Sequence, residues 1–278
     1  MAAPTGVDLR RGGPVSAPPP TLASARSLTL GGRAVSLGWA RVGDPSAAGL
    51  APAESALLSA RATPSRRAQF AAGRAAAREA LRGLGLVPEA LCVVRQPPTA
   101  SDAGRPVVAR ADGGHLEAPP SLSLTHSGSL ACAAAMIGAQ TIGIDLECVE
   151  PVGSPAFEQE AFAPGELADF ARFAAHGIAP ITAAWTLKEA ALKVWGVGLR
   201  AVLPAVRLVP GELERGPARG LVFTARVLVG AQPPGLPPPP LRLWCAMLRE
   251  GAAVLSLAVE HLADAVTQDR GGSTPLRG

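Results

Sequence analysis

Between residues 121 and 149 the chain reads as three closely spaced apolar strands: SLSLTHS (121–127), LACAAAMIG (130–138) and TIGIDLECV (141–149). Few architectures accept such a run. It contains the longest uncharged stretch, Ser127 to Ile144, but Ser, Gly, Gln and Thr interrupt that stretch and Asp145 ends it. It therefore reads as buried strands with a turn, not as a membrane span. Gly138-Ala-Gln supplies a short turn between the last two strands.

The flanking segments extend this pattern. AVSLGWARV (34–42) alternates as a strand. Residues 51 to 84 read as helix broken near Pro64, restarting with Ser65 as N-cap and stopping at Gly83 or Gly85. ALCVVRQ (90–96) is a short apolar strand. Helical patterns cover 164–175 and 181–195. AVRLV, GLVFTARVLVG, LRLWCAML and AVLSLAVEH then read as an antiparallel sheet, with QPPGLPPPPL (232–241) as a stiff linker between two of its strands. Helices are segregated from runs of strands, which predicts an α+β fold. A loose halving near residue 150 predicts an N-terminal subdomain (31–150) and a C-terminal one (151–263). A leader (1–30) rich in Pro, Gly, Ala and Ser is expected to be disordered, and a polar tail (264–278) to be flexible.

Composition removes several function classes. Four cysteines lie far apart with no C-x-x-C pair, which reads as reduced thiols of a cytoplasmic protein and not as a disulfide framework or zinc site. The N-terminus has arginines but no apolar core with a cleavage site, so no secretory signal is expected. Tyrosine is absent, so none acts as acid, base or nucleophile. Ser127 lacks a G-x-S-x-G setting, which excludes a serine hydrolase of that kind. Aromatic residues make up only 4%, too few for the stacking platforms of a nucleic-acid binder. The net charge of +4 suits an anionic ligand or an acidic partner.

Side chains alternate along a strand, so Ile142, Ile144, Leu146 and Cys148 share one face and Gly143, Asp145 and Glu147 the other. Two ionised carboxylates at i and i+2 repel unless a cation lies between them. Either the strand end is a wet polar face or it offers hard oxygen ligands to Mg²⁺. In WTLKEAALK (185–193), Trp185, Glu189 and Lys193 fall on one helical stripe beside an apolar face of Ala184, Leu187, Ala191 and Trp195. Glu189 and Lys193 are then a surface ion pair or part of a site. Lys188 and Lys193 are the chain's only lysines, and Lys188 points off that stripe. His126, amid Ser123, Thr125 and Ser127, is a core histidine or a phosphate donor. Arg74, Arg78 and Arg82, preceded by Arg66 and Arg67, make a basic stripe that is a solvated face or an anion site.

Taken in order, SRRAQFAAGRAAAREAL (65–81), SLTHSG (123–128), GIDLE (143–147) and WTLKEAALK (185–193) resemble the 4′-phosphopantetheinyl transferase superfamily, in its larger Sfp-type branch. The resemblance runs from about residue 40 to 260. It implies a pseudo-twofold chain of two similar subdomains with coenzyme A between them. The phosphopantetheine arm would pass to a serine of an apo-acyl or peptidyl carrier protein, releasing 3′,5′-ADP. By motif match, Asp145, Glu147 and Glu189 bind Mg²⁺, and Glu189 is also the candidate general base. Lys193 contacts the phosphates and assists the leaving group, and His126 contacts a coenzyme A phosphate. Arg66 and Arg74 hold the 3′-phosphoadenosine end, and Arg105, in GRPVV, is a further coenzyme A contact where such enzymes often carry a basic residue before proline. Thr125 stands where serine commonly precedes the histidine, and it keeps the hydroxyl. Two internal halves suffice for a monomer, with no nucleic-acid or membrane partner expected. The alternative is a non-catalytic module of the same fold that binds coenzyme A or a carrier.

Overall fold

The structure is a computed structural model that describes residues 27–44, 49–96, 105–112, 114–138, 140–148, 154–216, 220–240, 242–250 and 252–261. The expected leader up to residue 26, the tail 264–278 and Ala139 of the expected turn lie outside the described residues.

Two sheets form around the apolar faces. The first is a four-stranded antiparallel sheet in the order β1 (Ser27–Leu30), β2 (Arg33–Arg41), β6 (Leu130–Met136), β5 (Ser121–Ser127). The second runs β7 (Ile142–Cys148), β12 (Ala253–Glu260), β11 (Arg242–Glu250), β10 (Leu221–Val229), β8 (Val206–Pro210), with β9 (Glu214–Arg215) also on β10. A separate hairpin joins β3 (Leu91–Arg95) to β4 (Pro106–Arg110). The last four residues of the expected leader are therefore strand. Gly31 and Gly32, at φ +57° and +72°, make the tight turn that folds β1 onto β2.

The strand run at 121–149 corrects the simplest reading of its turn. β5 and β6 form a hairpin, but β7 leaves it and pairs with β12 in the other sheet. The alternating faces explain the split. Leu130, Cys132, Ala134 and Met136 of β6 meet Ile142, Ile144 and Leu146 of β7 in a core between the sheets. Burying both apolar faces this way outweighs extending one sheet. Ala131, Ala133 and Ala135 on the reverse of β6 pack against α2 (Pro64–Gly83). The reverse of the second sheet packs against α5 (Pro180–Trp195) with α3 (Pro155–Ala161) and α4 (Glu166–Asp169). The layers are thus helix, sheet, sheet, helix.

α2 is capped two residues earlier than its sequence signals suggest. Thr63 is the N-cap, its hydroxyl accepting from Arg66 N at 3.2 Å, and Pro64 takes the first helical position. Proline is preorganised there, so it starts this helix instead of breaking one. The upstream helical reading shrinks to α1 (Pro52–Ser55). The pattern at 164–175 resolves into α4 and a 3₁₀ turn, Ala171–His176. In the proline-rich linker, Pro237 O accepts the Trp195 indole N–H at 2.8 Å, tying that segment to the end of α5.

Two features recur. A Cβ at Gly38 of β2 would overlap the Ala76 carbonyl of α2, and one at Gly143 of β7 would overlap the Ala190 carbonyl of α5. Each helix thus lies on its sheet over a glycine. Glu54, in APAE (51–54), accepts Ala51 N and Val93 N at 3.0 Å each. Glu166, in APGE (163–166), accepts Ala163 N at 2.9 Å and Leu208 N at 3.0 Å. Both glutamates are buried. Gly143→Ala is expected to push α5 off the sheet and cost about 1–3 kcal/mol, read as a lower urea midpoint; an unchanged midpoint would show that α5 has slack.

Candidate active site

Asp145 and Glu147 leave β7 on the Gly143 face, toward α5, where Glu189 and Lys193 stand one turn apart. Lys193 Nζ donates to Asp145 Oδ1 and to Ile144 O, each at 2.7 Å. The surface ion pair between Glu189 and Lys193 is thus not what forms; the ammonium reaches across to β7 instead. Burial, then Asp145 and Glu147, push the Glu189 carboxyl up to about 7, and Lys193 only partly offsets them. Glu147 is also raised, by burial and then by Asp145, while hydrogen bonds from Ser127 and Trp185 oppose the shift. Trp185 packs edge-on against Phe157 and Phe162, at 5.0 and 6.4 Å between ring centroids.

The wet-strand reading fails as well. Asp145 is buried at 7% exposure. Its Oδ1 takes Lys193 and the Thr125 hydroxyl, the latter at 3.0 Å, whereas Oδ2 has no hydrogen-bond partner among the described residues. A buried, orphaned carboxylate oxygen is costly. Beside two further carboxylates whose proton affinity is raised, it fits a hard divalent cation with oxygen ligands. Among the described residues no three His, Cys, Asp or Glu side chains already close around one point. The fit therefore rests on the donor set and the orphaned oxygen.

On the other side of Lys193 lies a cavity of about 370 Å³ between α2, the β3–β4 hairpin, β5 and the end of α5. Arg66, Arg74, Arg105, His126 and Lys193 all line it, so the structure gathers the five expected phosphate contacts in one place. Arg95, at the end of β3, joins them. It lies 21 residues beyond Arg74 in the sequence, and no helical or strand period links the two. Arg105 also donates to Val194 O at 2.7 Å and Lys193 O at 3.3 Å, holding the last turn of α5.

The arginine stripe divides between the two roles open to it. Arg78 reaches Glu54 at 3.5 Å, Arg82 pairs with exposed Glu89 at 2.9 Å, and Arg67 bonds the carbonyls of Ser59, Ala60 and Ala62. Arg74 turns into the cavity, only 5% exposed and stacked 4.1 Å from the Phe70 ring centre. Its nearest carboxylate, Glu54, is 3.8 Å away. Burial pulls the Arg74 guanidinium down to about 10, Glu54 opposes that, and Arg95, Arg66 and Arg78 add to it. Crowding like charges in a half-buried cleft is tolerable where an anion neutralises them.

Lys188 takes no part in the cavity. Its ammonium is fully buried and bonds Glu166 and Ala161 O at 2.8 Å each and Leu203 O at 3.2 Å.

A family model described as the 4′-phosphopantetheinyl transferase superfamily matches residues 141–220. The match takes in β7 with Asp145 and Glu147, and α5 with Glu189 and Lys193; α2 and His126 lie outside it. No curated protein sequence matches the chain. Among the described residues no helix is long and apolar enough to cross a membrane.

Proposed function

We propose that this chain is a 4′-phosphopantetheinyl transferase of the larger, Sfp-type branch. It moves the phosphopantetheine arm of coenzyme A onto a serine of an apo-acyl or peptidyl carrier protein and releases 3′,5′-ADP. One observation carries the reading: an arginine-lined cavity meets, at Lys193, the Asp145 carboxylate, on which Glu147 and Glu189 also act electrostatically. A nucleotide with several phosphates needs the first, and its pyrophosphate bridge needs the second. The recurring glycine under each helix and the recurring A-P-x-E glutamate support two subdomains related by a pseudo-twofold. The cavity lies between elements of the two.

Asp145, Glu147 and Glu189 would hold Mg²⁺, which when bound supplies charge neutralisation at the pyrophosphate oxygens. Arg66, Arg74, Arg95 and Arg105 bind the phosphate and nucleotide end, with rigid forks that match phosphate oxygens. His126 donates to a phosphate oxygen. Glu189 accepts the proton of the incoming serine hydroxyl. Lys193 already donates across the junction, so its ammonium is placed to neutralise the departing 3′,5′-ADP. The net charge of +4 favours encounter with an acidic carrier. The reaction suits a monomer in the cytoplasm.

The test is incubation of the protein with coenzyme A, Mg²⁺ and apo-carriers of fatty-acid, polyketide and peptide type, followed by intact mass. Gain of the phosphopantetheine mass on one carrier is expected. Tight binding of coenzyme A with no gain on any carrier would instead establish a non-catalytic binding module.

A further inference from the structure

β7 is an edge strand of its sheet, with β12 on one side only. Its outward N–H groups therefore need partners from outside the ladder. They find them in side chains. Ile142 N donates to Ser121 Oγ at 3.1 Å, Ile144 N to Ser123 Oγ at 3.1 Å, and Leu146 N to Thr125 Oγ1 at 3.2 Å. The constant offset of 21 residues means β5 lies alongside β7 in parallel, with hydroxyls where a backbone ladder would be. A hydroxyl that accepts still has its own proton to give. Thr125 gives its proton to Asp145 Oδ1 at 3.0 Å, and Ser127 gives its proton to Glu147 Oε2 at 3.1 Å.

We infer that Thr125 and Ser127 are positioning residues for the carboxylates, fixing which oxygen each one offers to a divalent cation. This rests on the metal-dependent reading above. The chemistry is local. Thr125 is buried, stiff at its β-branched carbon and held at both ends, by Leu146 N and Asp145 Oδ1. With Oδ1 engaged by Thr125 and Lys193, Oδ2 is the oxygen left over. Ser127, which is only partly buried, does the same for Glu147. Partners of this kind outside the ligand set govern metal affinity by about 10–100-fold.

The experiment is Mn²⁺ binding to the full chain by electron paramagnetic resonance, without coenzyme A, alongside melting curves. Thr125→Val keeps the shape and removes the hydroxyl; it should weaken Mn²⁺ binding about 10-fold or more. Thr125→Ser should restore most of the affinity. Ser127→Ala should weaken binding several-fold and serves as the test if the valine variant fails to fold. Wild-type affinity in Thr125→Val and Ser127→Ala, even with lowered melting temperatures, overturns the inference and leaves the hydroxyls as strand connectors. No Mn²⁺ binding by the wild-type chain overturns the metal reading itself.

Discussion

Glu189→Gln is expected to lower phosphopantetheine transfer by roughly 10²–10⁴-fold, the usual worth of a positioned general base, and at the same time to stabilise the metal-free protein above neutral pH. The first effect follows from the proposed roles of Glu189 as base and metal ligand, the second from its charge in the metal-free protein. The carboxyl is raised from 4.5 to about 7 because burial and two neighbouring carboxylates oppose its charge. Below about pH 4.5 the folded and unfolded chains both hold that proton, so Glu189 adds no pH dependence there. Between about 4.5 and 7 the unfolded chain has lost the proton and the folded chain keeps it, so stability falls as pH rises. Above about 7 the penalty is complete, at most about 3 kcal/mol. Glutamine carries no charge and avoids it. Urea midpoints at pH 5 and pH 8 should therefore show a variant whose advantage over wild type grows with pH. Added Mg²⁺ should close the gap by binding wild type better, a gain of about 2.7 kcal/mol at a hundred times its dissociation constant. Near-normal transfer by the variant would end the assignment of Glu189 as base.

How much of this site is legible beforehand depends on which physical rule carries each residue. Period-two alternation alone puts Asp145 and Glu147 on the Gly143 face, and the structure keeps them there. Helical spacing alone aligns Glu189 with Lys193. Neither rule says which strand lies opposite β7. Proximity in sequence favours β6, but the inter-sheet core sends β7 to β12. Arg95 and Glu54 carry no local signal, because their roles depend on the β3–β4 hairpin folding back beside α2. One missed signal was present. Hydroxyls at 121, 123, 125 and 127 recur with strand period on a face that should be apolar. A polar row at buried strand positions marks an edge whose bonds run through side chains. Lys188 shows the opposite limit: its offset from the Glu189 stripe is plain, yet its partners come from three separate segments.

Lys188→Met should cost about 3–5 kcal/mol of stability, the range for breaking a buried ion pair on one side. The three ammonium protons have three acceptors, on α3, α4 and the turn before β8, and the Phe162 ring lies 5.0 Å away. Burial outweighs the attraction of Glu166 and holds this ammonium below the ordinary lysine range. The pair thus adds little net stability while intact. Its loss is still severe, because the buried Glu166 would lose its cation and keep the Ala163 and Leu208 N–H groups, and two carbonyls would lose their donor. Against a typical total of about 5–15 kcal/mol, the variant should unfold at much lower urea. What folded protein remains should bind coenzyme A normally, since Lys188 does not line the cavity. Arg74→Met should do the reverse. Arg74 holds the matching place beside Glu54, but at 3.8 Å and with its Nε unbonded among the described residues, and Arg78 shares that glutamate. Its loss should leave the midpoint nearly unchanged and raise the KM for coenzyme A about 10-fold or more, the worth of a charge-assisted bond. A lowered midpoint in Arg74→Met with unchanged KM, or a raised KM with unchanged midpoint in Lys188→Met, would reverse the assignment. Glu54 and Glu166 are alike in accepting two backbone N–H groups while buried, and the geometry of the cation beside each decides whether that cation holds the fold or is free for a ligand.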